Sequence, residues 1–499
     1  MAPYASMLNQ NASCTIILAV AALASACDDG PGAGDDTGPQ PDPTADPAPV
    51  TGTAIDIYVT AQEDRVPRDL TGANMEAWVL QADGGFTACS AMRTRDGTFE
   101  ISGVPEGPYY LNLDGRFIVT SARTLDLDTR IVGRRTQHRI ATSASLAFDV
   151  RGMIAWQPND FLELYAPNAG AAFSSLELSS AAPPAVGATA LDITTDYRVA
   201  ELPMSIESSA GDRAFVTHNA SRVSTEGVSY QALGAIAHLD PFSLTDGIGS
   251  ATARGTFELV PQDRQRILDW RTTVFTSLIS NAIPGGANSF SNSLVGFVDV
   301  DESSFYSIPA LFNVTAPLNA DVRATVSYGD PFPSAWKERV RVSVSGSKSY
   351  TIEGRSGFGF ADAGFEVSAD DLSSASIQPM IGAVQNLRVA GLDGAGVITD
   401  LPANPVVTWD PPALGTADSY IVVVVRFVPD GSRLVRRTRA TFFTAGTSVI
   451  LPGNILKRGE PHYIRVRALS HPGLAFERTV FANTYPRAWA DRITTLFTP

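Results

Sequence analysis

Asp96-Gly97-Thr98-Phe99-Glu100-Ile101-Ser102-Gly103-Val104-Pro105-Glu106-Gly107-Pro108-Tyr109-Tyr110-Leu111 decides the class of this fold. Asp96-Gly97 supplies a turn, because glycine reaches the positive φ that a tight reversal needs. Thr98 to Ile101 then alternates, which puts Phe99 and Ile101 on one inward face of a strand. Pro105 with Gly107 forms the next corner, and Tyr109-Tyr110-Leu111 opens another strand. Short strands punctuated by turn residues predict an antiparallel β-sandwich.

Working outward, Ile55-Asp56-Ile57-Tyr58-Val59 alternates as a strand, and Met75–Leu80 runs into the turn Asp83-Gly84-Gly85. Residues 51–140 resemble the carboxypeptidase regulatory-like, transthyretin-type β-sandwich. The resemblance rests on a D-G-x-F-x-I strand, a V-P-x-G turn and a tyrosine-bearing strand, with Thr71-Gly72-Ala73 matching the turn before the second strand. It implies a module that supports other domains rather than one that catalyses.

A second resemblance covers residues 386–485. Pro405-Val406-Val407-Thr408-Trp409-Asp410-Pro411-Pro412 is similar to the second strand of a fibronectin type III domain, with its core tryptophan. Tyr420–Arg426 is similar to the third strand, and Leu456–Ala468 to the approach and body of the sixth. His462 stands where the family has its corner tyrosine, and Tyr463 is one place later. The resemblance implies a spacer or a protein-binding module; residues 486–499 follow as a tail.

Between them, residues 141–385 match no familiar pattern. Strands are expected at Leu146–Ala155, Thr256–Val260, Leu294–Val300, Val322–Tyr328 and Val340–Val344. One helix is expected over about 262–282. Pro261 would start it, Ile267, Leu268, Trp270, Val274, Phe275, Leu278 and Ile279 fall largely at helical spacing, and Pro284-Gly285-Gly286 would end it. No fixed repeat is visible, so a large sandwich or two merged ones is expected. The fold class is therefore mostly β: a multi-domain string of antiparallel β-sandwiches with one helix.

The N-terminus concerns address rather than fold. Cys14–Ala24 is an apolar run of 11 residues, too short to span a membrane, which takes about 20, and suited to a signal-peptide core. It leads into Leu23-Ala24-Ser25-Ala26-Cys27, which resembles the lipobox of bacterial lipoproteins. The resemblance implies that residues 1–26 are a signal peptide and that Cys27 becomes the lipidated mature N-terminus. An ordinary cleaved signal with Cys27 incidental is the competing reading. Residues 27–50 then carry six aspartates and six prolines with no basic residue, the composition of a disordered tether. At about 3.1 Å per residue it could extend up to ~70 Å. The expected address is the bacterial cell envelope, anchored through Cys27 to the outer membrane, with the body in the periplasm or at the cell surface.

Bulk composition narrows the function. The chain has 499 residues, 44% hydrophobic and 18% charged, with net charge −15. Residues 51–499 hold 46 acidic and 37 basic side chains, a net of −9. That sign argues against a nucleic-acid partner, whose phosphates call for clustered cations. With Cys14 removed and Cys27 acylated, no second thiol remains to form a disulfide with Cys89, so the fold stands on packing.

The search for chemistry is brief. His138, His218, His238, His462 and His471 fall in no zinc spacing, and neither G-x-S-x-G nor a P-loop occurs. His218 and His238 are the candidates for a polar site, weighed against hydrogen-bonded strand-end histidines. Asp299, Asp301 and Glu302 are the candidate Ca²⁺ ligands, because alternate acids on a loop can present several oxygens. The missing loop glycine and closing acid favour a solvated acidic turn, so no cofactor is expected. The leading expectation is a non-enzymatic envelope lipoprotein that binds, displays or scaffolds, with a protein or glycan ligand. The alternatives are a lipid-anchored hydrolase with its site in 141–385 and a subunit of an envelope assembly or transport complex.

Overall fold

The computed structural model describes residues 47–499, apart from 138–139, 141–143, 174–182, 197–203, 247, 249, 300–308, 373–375, 474–475, 477–480 and 482–486. Cys27, most of the acidic tether, His138, Asp301 and Glu302 lie outside the described residues. What is described is mostly β, arranged in several sheets, with one α-helix at Thr272–Ala282.

The opening stretch folds as its alternation dictates. Gly97 takes φ 71° at the turn. Thr98–Ile101 pairs antiparallel with Val50–Thr53, and Thr124–Asp126 lies parallel on the other side of that strand. The facing sheet runs Phe86–Ser90, Met75–Leu80, Tyr109–Leu113, Arg116–Thr120. Val50, Met75, Phe99, Ile101, Leu111 and Ile118 close the core between them. Each such side chain contributes about 1.5–3 kcal/mol on burial.

At the other end, Leu392-Asp393, Gln385–Val389, Val406–Asp410 and Ser448–Ile450 form one sheet. A second sheet runs Arg433–Thr444, Ser419–Asp430, His462–Ser470, Arg487–Ile493. Trp409 is buried edge-on to Tyr420, with ring centroids 5.3 Å apart. His462 is fully buried, and its Nδ1 lies 2.7 Å from the Glu460 carbonyl, so an imidazole makes the local bond at this corner.

In the middle, the expected helix over 262–282 is half right. Thr272–Ala282 is helical, but Arg264–Trp270 is a strand paired antiparallel with Val322–Tyr328. The reason is a period of two hidden in an apolar cluster: Leu268 and Trp270 are buried while Ile267 is 59% exposed. A helix would have put Ile267 and Trp270 on the same face. Asp321 caps the helix from a distance, its Oδ1 accepting from the Thr273 N–H at 3.1 Å and from the Thr273 hydroxyl at 2.6 Å. Phe275 and Ile279 seat the helix on a long hairpin, Lys337–Ile352 and Arg355–Ser368.

That hairpin reverses through Glu353 (φ 49°) and Gly354 (φ 77°), a two-residue type I′ turn whose twist suits the flanking strands. A Cβ on Gly354 would meet nothing within 4 Å. Gly354→Ala should therefore cost only the backbone preference, about 1 kcal/mol. A chemical-denaturation shift far larger would mean that the turn makes contacts beyond its own backbone.

Sheet edges then join across the molecule. Ala363–Glu366 pairs with Arg487–Ala490, and Thr441–Thr444 lies parallel to Arg116–Val119. Ser229–Leu239 pairs with Phe215–Val223 on one edge and on the other serves two neighbours, Ala310–Val314 near its start and Ser250–Leu259 near its end. Edges paired in this way are not left as templates for aggregation.

Candidate functional site

The strand Phe161–Ala166 and its neighbour Phe215–Val223 place polar groups on both faces of one sheet. On one face lie Asp160 and His218. The turn Gln157–Asp160 is held by the Asp160 carboxylate, whose Oδ2 accepts from the Gln157 N–H at 2.8 Å. Its Oδ1 accepts from the Ser221 N–H at 2.7 Å, which leaves Oδ2 also facing His218 Nε2 at 3.0 Å. His218 is sealed from solvent, stacked on Trp156 with centroids 5.6 Å apart and flanked by Phe257. Burial holds its ionisation below the ordinary imidazole range, against the pull of Asp160. A neutral ring that donates from Nε2 has an acceptor at Nδ1, and that atom has no partner among the described residues.

The other face carries Glu163, Tyr165, Thr217 and Asn219. The Tyr165 hydroxyl donates to Glu163 Oε2 at 2.6 Å, and Asn219 Nδ2 lies 3.3 Å from the same oxygen. Burial pushes the Glu163 carboxyl up to about 7, with the Tyr165 and Asn219 bonds opposing the rise. Strand alternation separates the two polar sets, with Leu162 opposite His218 and Glu163 opposite Thr217. His238 stands across the ladder from Phe215, exposed and on the opposite face from His218. The structure thus brings His218 to a carboxylate and, among the described residues, leaves His238 without one in hydrogen-bonding contact. Asp160 and Glu163 went unnoticed in the sequence; an acid between Leu162 and Leu164 was the available signal.

Asp299 is buried at the end of Ser289–Asp299, with Lys337 across the ladder. Among the described residues, no three His, Cys, Asp or Glu side chains gather as metal ligands.

Two clefts open elsewhere. One, of about 320 Å³, sits at the helix C-terminus beside Pro284-Gly285-Gly286 and Arg492. The other, of about 620 Å³, is bounded by Glu226–Ser229, Thr315–Pro317 and Asp321–Arg323. Its acids are already engaged: Asp321 caps the helix, and Glu226 accepts from the Thr325 N–H and hydroxyl, which bring its carboxyl down to about 2.

A larger charged array covers the face where the long hairpin meets the last sheet. Arg467 forks onto Asp491, Nε to Oδ1 at 2.6 Å and Nη2 to Oδ2 at 2.9 Å, and reaches Asp362 at 3.1 Å. Glu366 takes both Arg341 and Arg487; burial alone would raise its carboxyl, but the two guanidinium groups bring it below the usual range. Trp489 Nε1 donates to Asp362 Oδ2 at 2.8 Å. Arg465-Val466-Arg467, two cations alternating within a strand, was the sequence signal for it. No protein-family model matches this chain, and no curated protein matches it.

Proposed function

We propose that this chain is an exported bacterial lipoprotein, held to the envelope by acyl chains on Cys27, whose β body binds or displays rather than catalyses. The observation that carries the reading is how the tether enters the body. Val50–Thr53, the first strand after the acidic segment, is clamped between strands on both sides with Val50 fully buried. A load on the anchor then acts along two ladders of backbone hydrogen bonds rather than on a fraying end. The parallel ladder of 116–119 with 441–444 joins the facing sheet of the same module to the last sheet. A four-stranded sheet at each end, faced by strands of one long continuous sheet, supports the carboxypeptidase regulatory-like and fibronectin type III-like readings. The polar groups around His218 are sealed, which supports a structural use for the pair.

Cys27→Ala tests the anchor. The wild-type chain should incorporate an alkyne-tagged fatty acid and sediment with membranes; the variant should do neither while keeping its fold, because position 27 lies well before the first strand. A variant that still sediments and still labels would end the proposal.

A further inference from the structure

We propose that Arg436 and Arg465, gathered on the ring of Phe360, form a site for an oxyanion (a phosphate, sulfate or carboxylate group) carried by a ligand of this body. This rests on the binding reading above and specifies its chemistry.

The guanidinium carbon of Arg436 lies 4.3 Å from the centroid of Phe360 and 4.6 Å from that of Phe358; Arg465 lies 4.9 Å from Phe360. Two cations therefore share one aromatic ring. Ring faces attract guanidinium groups but do not neutralise them. The array next door has its acids placed with care, whereas no carboxylate among the described residues forms an ion pair with Arg436. Its acceptor is the Tyr463 hydroxyl, and its Nη1 is buried without a partner. Arg465 has only Asp491, at 3.7 Å, already forked by Arg467, and its Nε is buried without a partner. Burial, with Arg465 close by, lowers the Arg436 ionisation despite Tyr463.

A half-buried guanidinium without an acid is costly, and a second one beside it, sharing an acid already forked by Arg467, adds to that cost. An oxyanion would supply the missing acceptors through charge-assisted hydrogen bonds. The same strand exposes Arg433 and Arg437 on its other face and Arg439 at its bulge, and Arg437 stands directly across the ladder from Arg426, which pairs with Glu460. In a body of net charge −9, this row attracts anions against the overall field. The recessed, ring-held pair suits one discrete group on a ligand, whereas a lipid surface would need its cations to protrude.

The test uses the full chain and Arg436→Met, Arg465→Met and, as an outer control, Arg433→Gln. Thermal midpoints are read in anion-poor buffer, then with inorganic phosphate and with polygalacturonate, and binding to phosphatidylglycerol vesicles is measured by sedimentation. Wild type should gain several degrees with phosphate or polygalacturonate. Arg436→Met and Arg465→Met should lose that gain, and Arg433→Gln should keep most of it. Response to phosphate alone identifies a small oxyanion; response to the polymer alone identifies an acidic glycan, and both support the site. In anion-poor buffer Arg436→Met should melt no lower than wild type, since it removes an uncompensated charge. A drop there with the anion response intact would show a structural arginine and overturn the proposal. So would wild-type indifference to both anions, or vesicle binding by the Cys27→Ala chain that Arg436→Met abolishes, which would make the pair a lipid-surface site. The thermal readouts do not depend on Cys27, and vesicle binding is measured in a Cys27→Ala background, so a failed anchor and a failed site are told apart.

Discussion

Asp491→Ala is expected to destabilise the folded chain by about 3–5 kcal/mol, the range for removing one partner of a buried ion pair. Asp491 has no solvent exposure, and both its oxygens engage Arg467. The backbone N–H of Asp362 also donates to Oδ2 at 3.1 Å, so the carboxylate ties the hairpin to the last two strands. Burial alone would lower the Arg467 ionisation, yet Asp491 and Asp362 together raise it above the ordinary arginine range. With Asp491 gone, Arg467 keeps one acid, and Arg465 loses the only one near it.

Asp491→Asn, which keeps the shape and removes the charge, should fall between wild type and alanine. The double change Asp491→Leu with Arg467→Met should cost less than Asp491→Ala, because an apolar pair carries no desolvation penalty. Urea unfolding followed by tryptophan fluorescence checks the series; Trp489 sits over Arg467 with the guanidinium carbon 5.9 Å from its ring. A loss under about 1 kcal/mol for Asp491→Ala would mark the pair as no better than a surface salt bridge.

The second large effect is a pH dependence centred on Glu163. Its folded carboxyl titrates at about 7 against an ordinary value of 4.5. Between those values the folded chain holds a proton that the unfolded chain has released. Stability from this group is therefore full at low pH and falls as pH rises, by about 1.4 kcal/mol per unit and roughly 3 kcal/mol across the window. His218 acts with the opposite sign. Its folded value is below 6.5, so its contribution grows as pH rises toward that value. His462 and His471 are lowered too, His471 to about 4, chiefly by burial.

The comparison of wild type with Glu163→Gln separates these effects, because the histidines titrate in both. The amide that this substitution introduces can still accept from Tyr165 and cannot ionise. At pH 5 the two should unfold at similar denaturant concentrations; at pH 8 the variant should be more stable by about 2–3 kcal/mol. An equal offset at both pH values would show that Glu163 does not change protonation in this range.

Much of this architecture was legible residue by residue. Phe99 and Ile101 point inward because a strand has period two, and Gly97 turns because glycine alone takes its φ without strain. Trp409 was recognisable as core from the resemblance of its strand to the second strand of a fibronectin type III domain. Arg264–Trp270 was not legible: its apolar residues satisfy a helical count, and the choice fell to a partner strand distant in the chain. His218 drew attention, but nothing nearby in the chain predicted Asp160 as its partner 58 residues upstream. Nor could the sequence distinguish Arg467, which holds two carboxylates, from Arg436, which pairs with none among the described residues.

The sequence by itself therefore determined the β class, the turns, the inward face of each well-patterned strand and the expectation of an anchor at Cys27. The first three follow from local rules, backbone φ preferences, side-chain alternation and composition, and the last from the resemblance of Leu23–Cys27 to a lipobox. Tertiary structure alone decided which edges join, where the helix begins, and which charges are paired, sealed or left without an acid. Those outcomes depend on desolvation and on hydrogen-bond partners far away along the chain, and neither is encoded within a window of neighbouring residues.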